Sequence, residues 1–245
     1  MSGIRVYRTE PSGLRLTSFT VTVKESDLWI AVNSADFHEN LRLQAEKVTW
    51  NRRRLIESYL GANPGLASSL EPGLPVGNAP EIVRTMIRSG NKAGVGLMAA
   101  VAGAIAEEVG KDLLNYSGEV IVENGGDIFL KVDQTVNVGI YAGKSPLSGK
   151  LALRIKPNQT PLGICTSSGT VGPSFSKGRA DAALALSAST PLADAAATAL
   201  GNMIQTPDDF EAALEFARGI DGITGVLLIC EDKMAAWGAL ELQQV

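Results

Sequence analysis

Three short polar motifs interrupt otherwise apolar stretches of the chain, and their residue types are suited to binding a phosphorylated ligand. They occupy residues 123–127, 166–169 and 194–198. Each motif places hydroxyls, carboxylates or glycine backbone where one element of structure is expected to end and the next to begin. Proteins that combine helices with sheets commonly build ligand sites at such junctions.

The first motif contains Asn124, Gly125, Gly126 and Asp127, and it follows a strand-like segment. The two glycines permit positive φ and a close approach of backbone to a ligand, while the flanking side chains supply a donor and an acceptor. Asn-Gly is also the commonest signature of a tight hairpin turn. Both interpretations stay open from the sequence.

The second motif contains Thr166, Ser167, Ser168 and Gly169 at the end of a predicted strand. Such a segment can wrap a phosphate, or it can be a serine-rich loop that caps itself. A serine nucleophile is disfavoured, because the single histidine, His38, lies far earlier in the chain and nothing near these serines resembles a base with its orienting partner.

The third motif places Asp194 and Thr198 four residues apart on one helix, so that their oxygens can converge. A carboxylate and a hydroxyl are hard oxygen ligands that suit Mg²⁺ when phosphates and water complete the coordination. The alternative is structural: Asp194 caps its helix, and Thr198 bonds back to the backbone.

Composition bounds the class of protein. The 245 residues are 45% hydrophobic and 20% charged, which suits one large domain with a sizeable core. A net charge of −4 gives no basic footprint for nucleic acid or an anionic membrane. The longest apolar run, residues 93–106, is shorter than the roughly 20 residues that span a bilayer. We therefore predict a cytoplasmic protein with no nucleic-acid or membrane partner.

Two cysteines and one histidine limit the metal chemistry of the chain. They imply neither a disulfide framework nor a thiolate metal cluster. A site that needs two histidines from one chain is excluded.

Periodicity predicts a mixture of strands and helices. The predicted strands are residues 4–8, 14–23, 28–32, 118–122, 128–132, 136–141, 150–155, 162–166, 182–187, 226–230 and 234–237. The predicted helices are residues 38–59, 80–88, 92–114, 192–204 and 207–219. This pattern predicts an α+β or mixed α/β fold.

Two segments have unusual compositions. Residues 61–80 are rich in Gly, Pro and Ser, and a connection this long is either a functional lid or a surface excursion. The predicted helix 92–114 contains Gly94, Gly96 and Gly103, and each glycine costs about 0.5–1 kcal/mol relative to alanine. Close packing on a sheet would offset that cost, and a phosphate bound at the helix N-terminus could also explain the glycines. Charged residues from Glu107 onward are expected to reach solvent.

Taken in order, the motifs resemble the ApbE-like superfamily, many of whose members are Mg-dependent FAD:protein FMN transferases. The matching segments are residues 122–128, 166–169 and 193–200, in that order. The stretch from Gly96 through Met98 to Glu107 looks closest to a shorter branch, UPF0280. The resemblance covers residues 90–205 by motif and the whole chain by order of elements.

The resemblance implies one domain over residues 1–245, made of two packed α/β halves with mixed sheets and a cleft that binds FAD or a related flavin nucleotide. The diphosphate would lie at the start of the glycine-bearing helix. Mg²⁺ would be held by Asp194, Thr198 and the carbonyl of Ala197. The residues that would line the nucleotide are Gly94, Gly96, Met98, Asn124, Gly125, Gly126, Asp127, Thr166, Ser167, Ser168 and Gly169.

One departure from the superfamily leaves the function open. The transferases carry His-x-x-Asp-Pro after the second motif, but residues 173–181 of this chain contain no histidine, and Lys177, Arg179 and Asp181 are the candidate substitutes. One candidate function is an enzyme that acts at the FAD diphosphate, by FMN transfer to an acceptor protein or by hydrolysis. The other is a non-catalytic flavin or nucleotide carrier.

Alanines and glycines on helices that look exposed are compatible with a homodimer.

Overall fold

The computed structural model describes residues 15–169 and 178–245. Six α-helices lie in these two ranges, and a 3-10 turn, Leu97–Ala100, leads directly into the fourth. The helices are α1 Glu39–Ala62, α2 Pro64–Ser68, α3 Glu81–Ala93, α4 Val101–Leu113, α5 Thr190–Met203 and α6 Phe210–Arg218.

The strands of the described ranges form two sheets. The strands are β1 Leu16–Val23, β2 Ser26–Asn33, β3 Val120–Asn124, β4 Asp127–Lys131, β5 Val136–Gly139, β6 Leu151–Ile155, β7 Leu162–Ser167, β8 Ala182–Ser187, β9 Ile223–Cys230, β10 Lys233–Gly238 and β11 Leu242–Gln244. The large sheet has the order β1-β2-β3-β4-β7-β8-β9-β10, and the small sheet has the order β11-β6-β5.

The large sheet is the middle of three layers. On β8, Ala183 and Ala185 face the helices, while Leu184 and Leu186 face the small sheet. Successive side chains of a strand point to opposite faces. Both faces of β8 are therefore buried, which explains why it lacks the polar alternation of a surface strand.

The predicted α+β class is confirmed, with one refinement of the strand directions. The pairings in both sheets are antiparallel rather than mixed. Neighbours in the large sheet mostly follow one another along the chain, and hairpin connections produce antiparallel pairs. Strand β11 was not predicted, and the predicted strand at residues 4–8 lies outside the described residues.

The prediction of one helix over residues 92–114 is wrong. Helix α3 ends at Ala93, Gly94 takes a φ of 70°, and α4 begins only at Val101. A glycine in the left-handed region is a common helix terminator, because it has no Cβ to clash. The uniformly small and apolar residues around it supplied no signal for the break.

The alanines of α5 are buried rather than exposed. Ala193, Ala195, Ala196 and Ala197 are each at most 1% exposed, and they pack within the helix-side core. Small residues on this helix therefore serve internal packing, and they no longer argue for a homodimer surface.

Within the described ranges, no single helix has both the length and the apolar character needed to cross a membrane. Helix α3 and the segment Leu97–Leu113 meet those criteria only jointly, and they are bent by 107° with respect to each other.

We expect Gly110→Ala to destabilise the fold. A Cβ at Gly110 would lie 2.1 Å from Cδ1 of Phe129, which is 1% exposed, so the ring or α4 must move. Overpacking of this kind costs about 1–3 kcal/mol. Gly61→Ala in α1 is the control, because no heavy atom lies within 4 Å of its added Cβ, and it should leave stability equal or raise it by up to about 1 kcal/mol. Urea unfolding of both variants tests this; equal midpoints would contradict it.

Candidate functional site

The start of α4 is where the first and third motifs meet. The Gly103 N–H donates to Asp194 Oδ2 at 2.8 Å, and Asn124 Nδ2 donates to the Ala102 carbonyl at 3.0 Å. Asp127 is the register partner of Asn124. The first N–H groups of a helix have no intrahelical acceptor, and the positive end of the helix dipole favours a carboxylate there. One helix end thus gathers Asp194, Asn124 and Asp127.

A tight turn brings the first motif to this position. Gly125 and Gly126 have φ values of 72° and 108°, and the Gly126 N–H donates to Glu123 Oε1 at 2.8 Å. Two-residue hairpins with positive φ at both positions match the twist of the paired strands. The hairpin interpretation of this motif is confirmed, and the same turn carries Asn124 to α4.

Glu107 provides the reverse contact between the same two helices. Its Oε2 accepts the Thr190 N–H at 2.6 Å at the start of α5, and its Oε1 pairs with Lys111. Glu107 is only 7% exposed, so the expectation that it reaches solvent is wrong, whereas Lys111 is exposed and Glu108 and Asp112 are partly exposed as expected. Helices α4 and α5 therefore cap each other, since Asp194 of α5 serves the first turn of α4.

Asp194 lies in an electrostatically unfavourable place for a negative charge. Burial raises its pKa well above the usual range, and the negative charge of Asp127 raises it further, while the backbone N–H groups of Gly103 and Ala102 act to lower it. Burial also raises the pKa of the Cys165 thiol, followed by the charges of Asp127 and Asp194. Two carboxylates and a thiol thus share one buried region.

The second motif lies against the first motif and the later part of α5. A Cβ at Gly126 would lie 3.5 Å from the Thr166 carbonyl, and one at Gly201 would lie 3.1 Å from Ser167 Oγ. Ser168 and Gly169 turn toward the chain before β8, where the Gly169 N–H donates to the Ala180 carbonyl at 2.9 Å. The three motifs therefore lie next to one another along α5, with the first motif beside the start of this helix and the second motif reaching its last turn.

A small cleft follows Asp194 along α5. Its volume is about 80 Å³, and Gly96, Met98 and Thr198 contribute to its wall. The remaining lining residues are Ser69, Leu70, Val95, Ala99 and Asn202. Thr198 is one turn beyond Asp194, so the cleft and the start of α4 are neighbouring parts of one region.

Neither of the two predicted phosphate-binding glycines lies at the N-terminus of an α-helix, although Gly96 is the N-cap of the 3-10 turn before α4. Gly94 ends α3, and the Gly96 N–H already donates to the Leu70 carbonyl at 2.9 Å. The glycine-bearing start of one long helix is therefore not formed, because α4 begins only at Val101, and the place of a diphosphate stays a prediction. The N–H groups at that start belong to residues 101–103.

Two of the proposed substitutes for the missing histidine can be located. Asp181 is buried, and its Oδ2 accepts the Glu231 N–H at 2.7 Å beside an open hollow of about 490 Å³. Among the described residues, the lining of that hollow includes neither Asp194 nor Thr198. Arg179 is exposed, and Lys177 lies outside the described residues.

Residues 15–169 and 178–245 contain no group of three or more His, Cys, Asp or Glu side chains arranged to hold a metal ion. A cation at Asp194 would therefore also need hydroxyl, carbonyl, water or phosphate oxygens.

Sequence comparison identifies relatives along most of the chain. A family described as "AbpE bacteria" matches residues 9–236. A UPF0280 protein from Methanocella arvoryzae is 48% identical over 76% of both chains, and one from Methanosarcina barkeri is 44% identical over 96% of this chain and 91% of its own. The chain belongs to the ApbE-like UPF0280 family.

Solved structures share the fold at low sequence identity. The flavinyl transferase ApbE from Pseudomonas stutzeri, in its apo form, is 14% identical with a TM-score of 0.55, covering 91% of this chain and 94% of that one. A mutant of the flavin transferase ApbE from Vibrio cholerae is 14% identical with a TM-score of 0.51, covering 91% and 97%. These likenesses show the architecture of the UPF0280 chain.

Sequence patterns missed several residues of this region. Glu107 stood at a position that looked like the solvent end of a helix, and Ala102 and Gly103 were interior positions of a helix predicted to be longer. Leu70 and Asn202 carried no motif at all. The available signal for Glu107 was its place at the end of an otherwise apolar run.

We expect Glu107→Ala to destabilise the protein by about 1–3 kcal/mol, because it leaves the buried Thr190 N–H without its acceptor. Glu107→Gln keeps an acceptor and should recover part of the loss. Glu108→Ala is the matched control; its partly exposed pair with Arg52 should be worth at most about 1 kcal/mol. Chemical denaturation measures the free energy of unfolding of each variant. Equal losses of stability in Glu107→Ala and Glu108→Ala would refute the capping role of Glu107.

Proposed function

We propose that the protein binds a flavin nucleotide such as FAD, together with a divalent cation, at the start of α4, and acts at the diphosphate. The observation that carries the proposal is the meeting of Asp194, Asp127 and Asn124 at this helix end. Membership of the ApbE-like family, and the flavin transferases among the solved structures that share the fold, support the choice of ligand.

The residues present fit a hard divalent cation such as Mg²⁺. Asp194 and Asp127 supply carboxylate oxygens, and Thr198 supplies a hydroxyl; oxygen ligands of these kinds suit Mg²⁺. The buried carboxylate of Asp194 faces the negative charge of Asp127, and a cation would offset that repulsion. Ala197 is the weakest member of the set, because it lies inside α5, where its carbonyl would have to use a second lone pair.

The chain's own groups would orient the ligand. The positive end of the α4 dipole favours a phosphate nearby, while the N–H groups of Ala102 and Gly103 hold Asp194. Asn124 fixes the turn against α4 through its bond to Ala102, and Thr198 lines the cleft. When bound, a cation of this kind neutralises a diphosphate and polarises it toward attack by a hydroxyl or by water.

A non-catalytic flavin carrier is the second candidate. The observation that favours it is the absence of a histidine from residues 173–181. The single histidine, His38, instead precedes the first residue of α1. The presence of both Asp194 and Thr198 on one face of α5 favours the first candidate, an enzyme that acts at the FAD diphosphate.

Titration with FAD separates these functions. We expect binding in Mg²⁺ to be at least about tenfold tighter than in EDTA, because the cation offsets the carboxylate and diphosphate charges. AMP release in the same samples would identify the enzyme, and binding without AMP would identify the carrier. Equal or absent binding in both conditions would contradict the proposed site.

Asp194→Asn and Thr198→Val should weaken Mg-dependent FAD binding by about 10–100-fold. Asn retains an oxygen that can accept from Gly103, and Val matches Thr in shape, so the fold should survive. Asp208→Asn is the control, because Asp208 is exposed at the turn before α6. Calorimetric titration after a thermal unfolding check measures the effect. Unchanged affinity in both site variants would remove these residues from the cation site.

A further inference from the structure

Residues 69–76, here called the strap, form one wall of the cleft beside Thr198. Ser69 and Leu70 line the cleft opposite residues of the turn before α4 and of α5. The strap follows the short helix α2 and has no regular secondary structure. It is the central part of the segment 61–80 that the sequence predicts to be a lid or a surface excursion.

Hydrogen bonds hold the strap at three points. The Gly96 N–H donates to the Leu70 carbonyl at 2.9 Å. The Asn91 side chain both accepts from the Gly73 N–H at 3.0 Å and donates to the Gly73 carbonyl at 2.9 Å.

The third point is a phenol hydroxyl from α1. Tyr59 Oη donates to the Val76 carbonyl at 2.9 Å and accepts the Val76 N–H at 2.7 Å. These contacts fasten the backbone of the strap, whereas its apolar side chains contribute little.

Those side chains are unusually exposed. Leu70 is 59% exposed, Leu74 77% and Val76 57%. A segment with few buried apolar contacts opens at low free-energy cost. The hydrogen bonds from Asn91 and Tyr59 are therefore the main restraints beyond the contact with Gly96.

The closed strap leaves no room for a dinucleotide. The cleft holds about 80 Å³, whereas sites for ligands of drug size are about 300–1,000 Å³. The strap backbone also sits directly on Gly96: a Cβ there would lie 2.0 Å from the Ser69 carbonyl oxygen. With its N–H given to Leu70, Gly96 has no donor to offer a ligand.

We propose that the strap is a gate, and that its release from Gly96 is required before a nucleotide can occupy the cleft. The identity of the ligand rests on the proposed function; the opening motion rests on the contacts of the strap. Weakening the closed state raises the fraction of binding-competent molecules, which speeds association and tightens apparent affinity.

Asn91→Ala and Tyr59→Phe test the gate without altering any residue that lines the cleft. Both should speed hydrogen exchange of the Gly96 amide, whose acceptor lies on the strap. Both should also raise the association rate of FAD in Mg²⁺ by roughly two- to tenfold, the effect of losing a hydrogen bond of ordinary strength. Ser68→Ala is the control, because its hydroxyl reaches only carbonyls within α2.

The outcomes separate the gate from the ligand assignment. Faster exchange with faster FAD association supports the gate, as does binding seen only in the two variants. Faster exchange with unchanged association overturns the gate and leaves the proposed function standing. Unchanged exchange also overturns it, because the restraints would then not hold the strap. Failure of wild type and both variants to bind FAD overturns the proposed function and the gate with it.

Discussion

The fold around the candidate site depends on one close contact, the crossing of α4 and α5 at Gly103. A Cβ there would lie 2.7 Å from the Thr190 carbonyl oxygen and 2.9 Å from Cβ of Asp194, so only glycine permits this approach. At that distance Asp194 reaches the first turn of α4, and Glu107 reaches the first turn of α5. Because Gly103 lies against both Thr190 and Asp194 while Glu107 reaches Thr190, the N-terminal parts of the two helices contact each other.

This crossing gives Asp194 two tasks that are hard to separate. As a cap it satisfies a buried N–H and positions α4; as a candidate ligand it would present charge to a cation. The same geometry brings the turn of Asn124 against Ala102, so the candidate site is formed by the contacts that join the helices to the sheet. A substitution at Asp194 that removes both the helix cap and the candidate cation ligand could not distinguish the two functions. A substitution that keeps an acceptor oxygen retains the cap and therefore tests the ligand role alone.

Local patterns predicted most elements of this fold but not their long-range contacts. Strand β8 was predicted with its observed bounds, and the Asn-Gly pair predicted the turn before β4, because both depend on neighbouring residues. The break between α3 and α4 was missed because the small apolar residues around Gly94 carry no local signal for it, and the packing of Gly96 against Ser69 joins separate parts of the sequence. Glu107 was placed in solvent for the same reason: its burial is decided by α5, more than eighty residues away. The spacing of Asp194 and Thr198 correctly placed them one turn apart on a helix, but it could not indicate that α4 would already use one carboxylate oxygen.

The reciprocal caps also explain how two acidic residues can be buried between these helices. Glu107 pairs with Lys111 and accepts from Thr190, and Asp194 accepts from Gly103. Each carboxylate lies at the positive end of a helix dipole, which stabilises its charge. The positive charge of Lys111 also stabilises the Glu107 carboxylate. Asp194 instead lies near the negative charge of Asp127. The repulsion between Asp194 and Asp127 lies beside the cleft, so a cation carried in with an anionic ligand would offset it there.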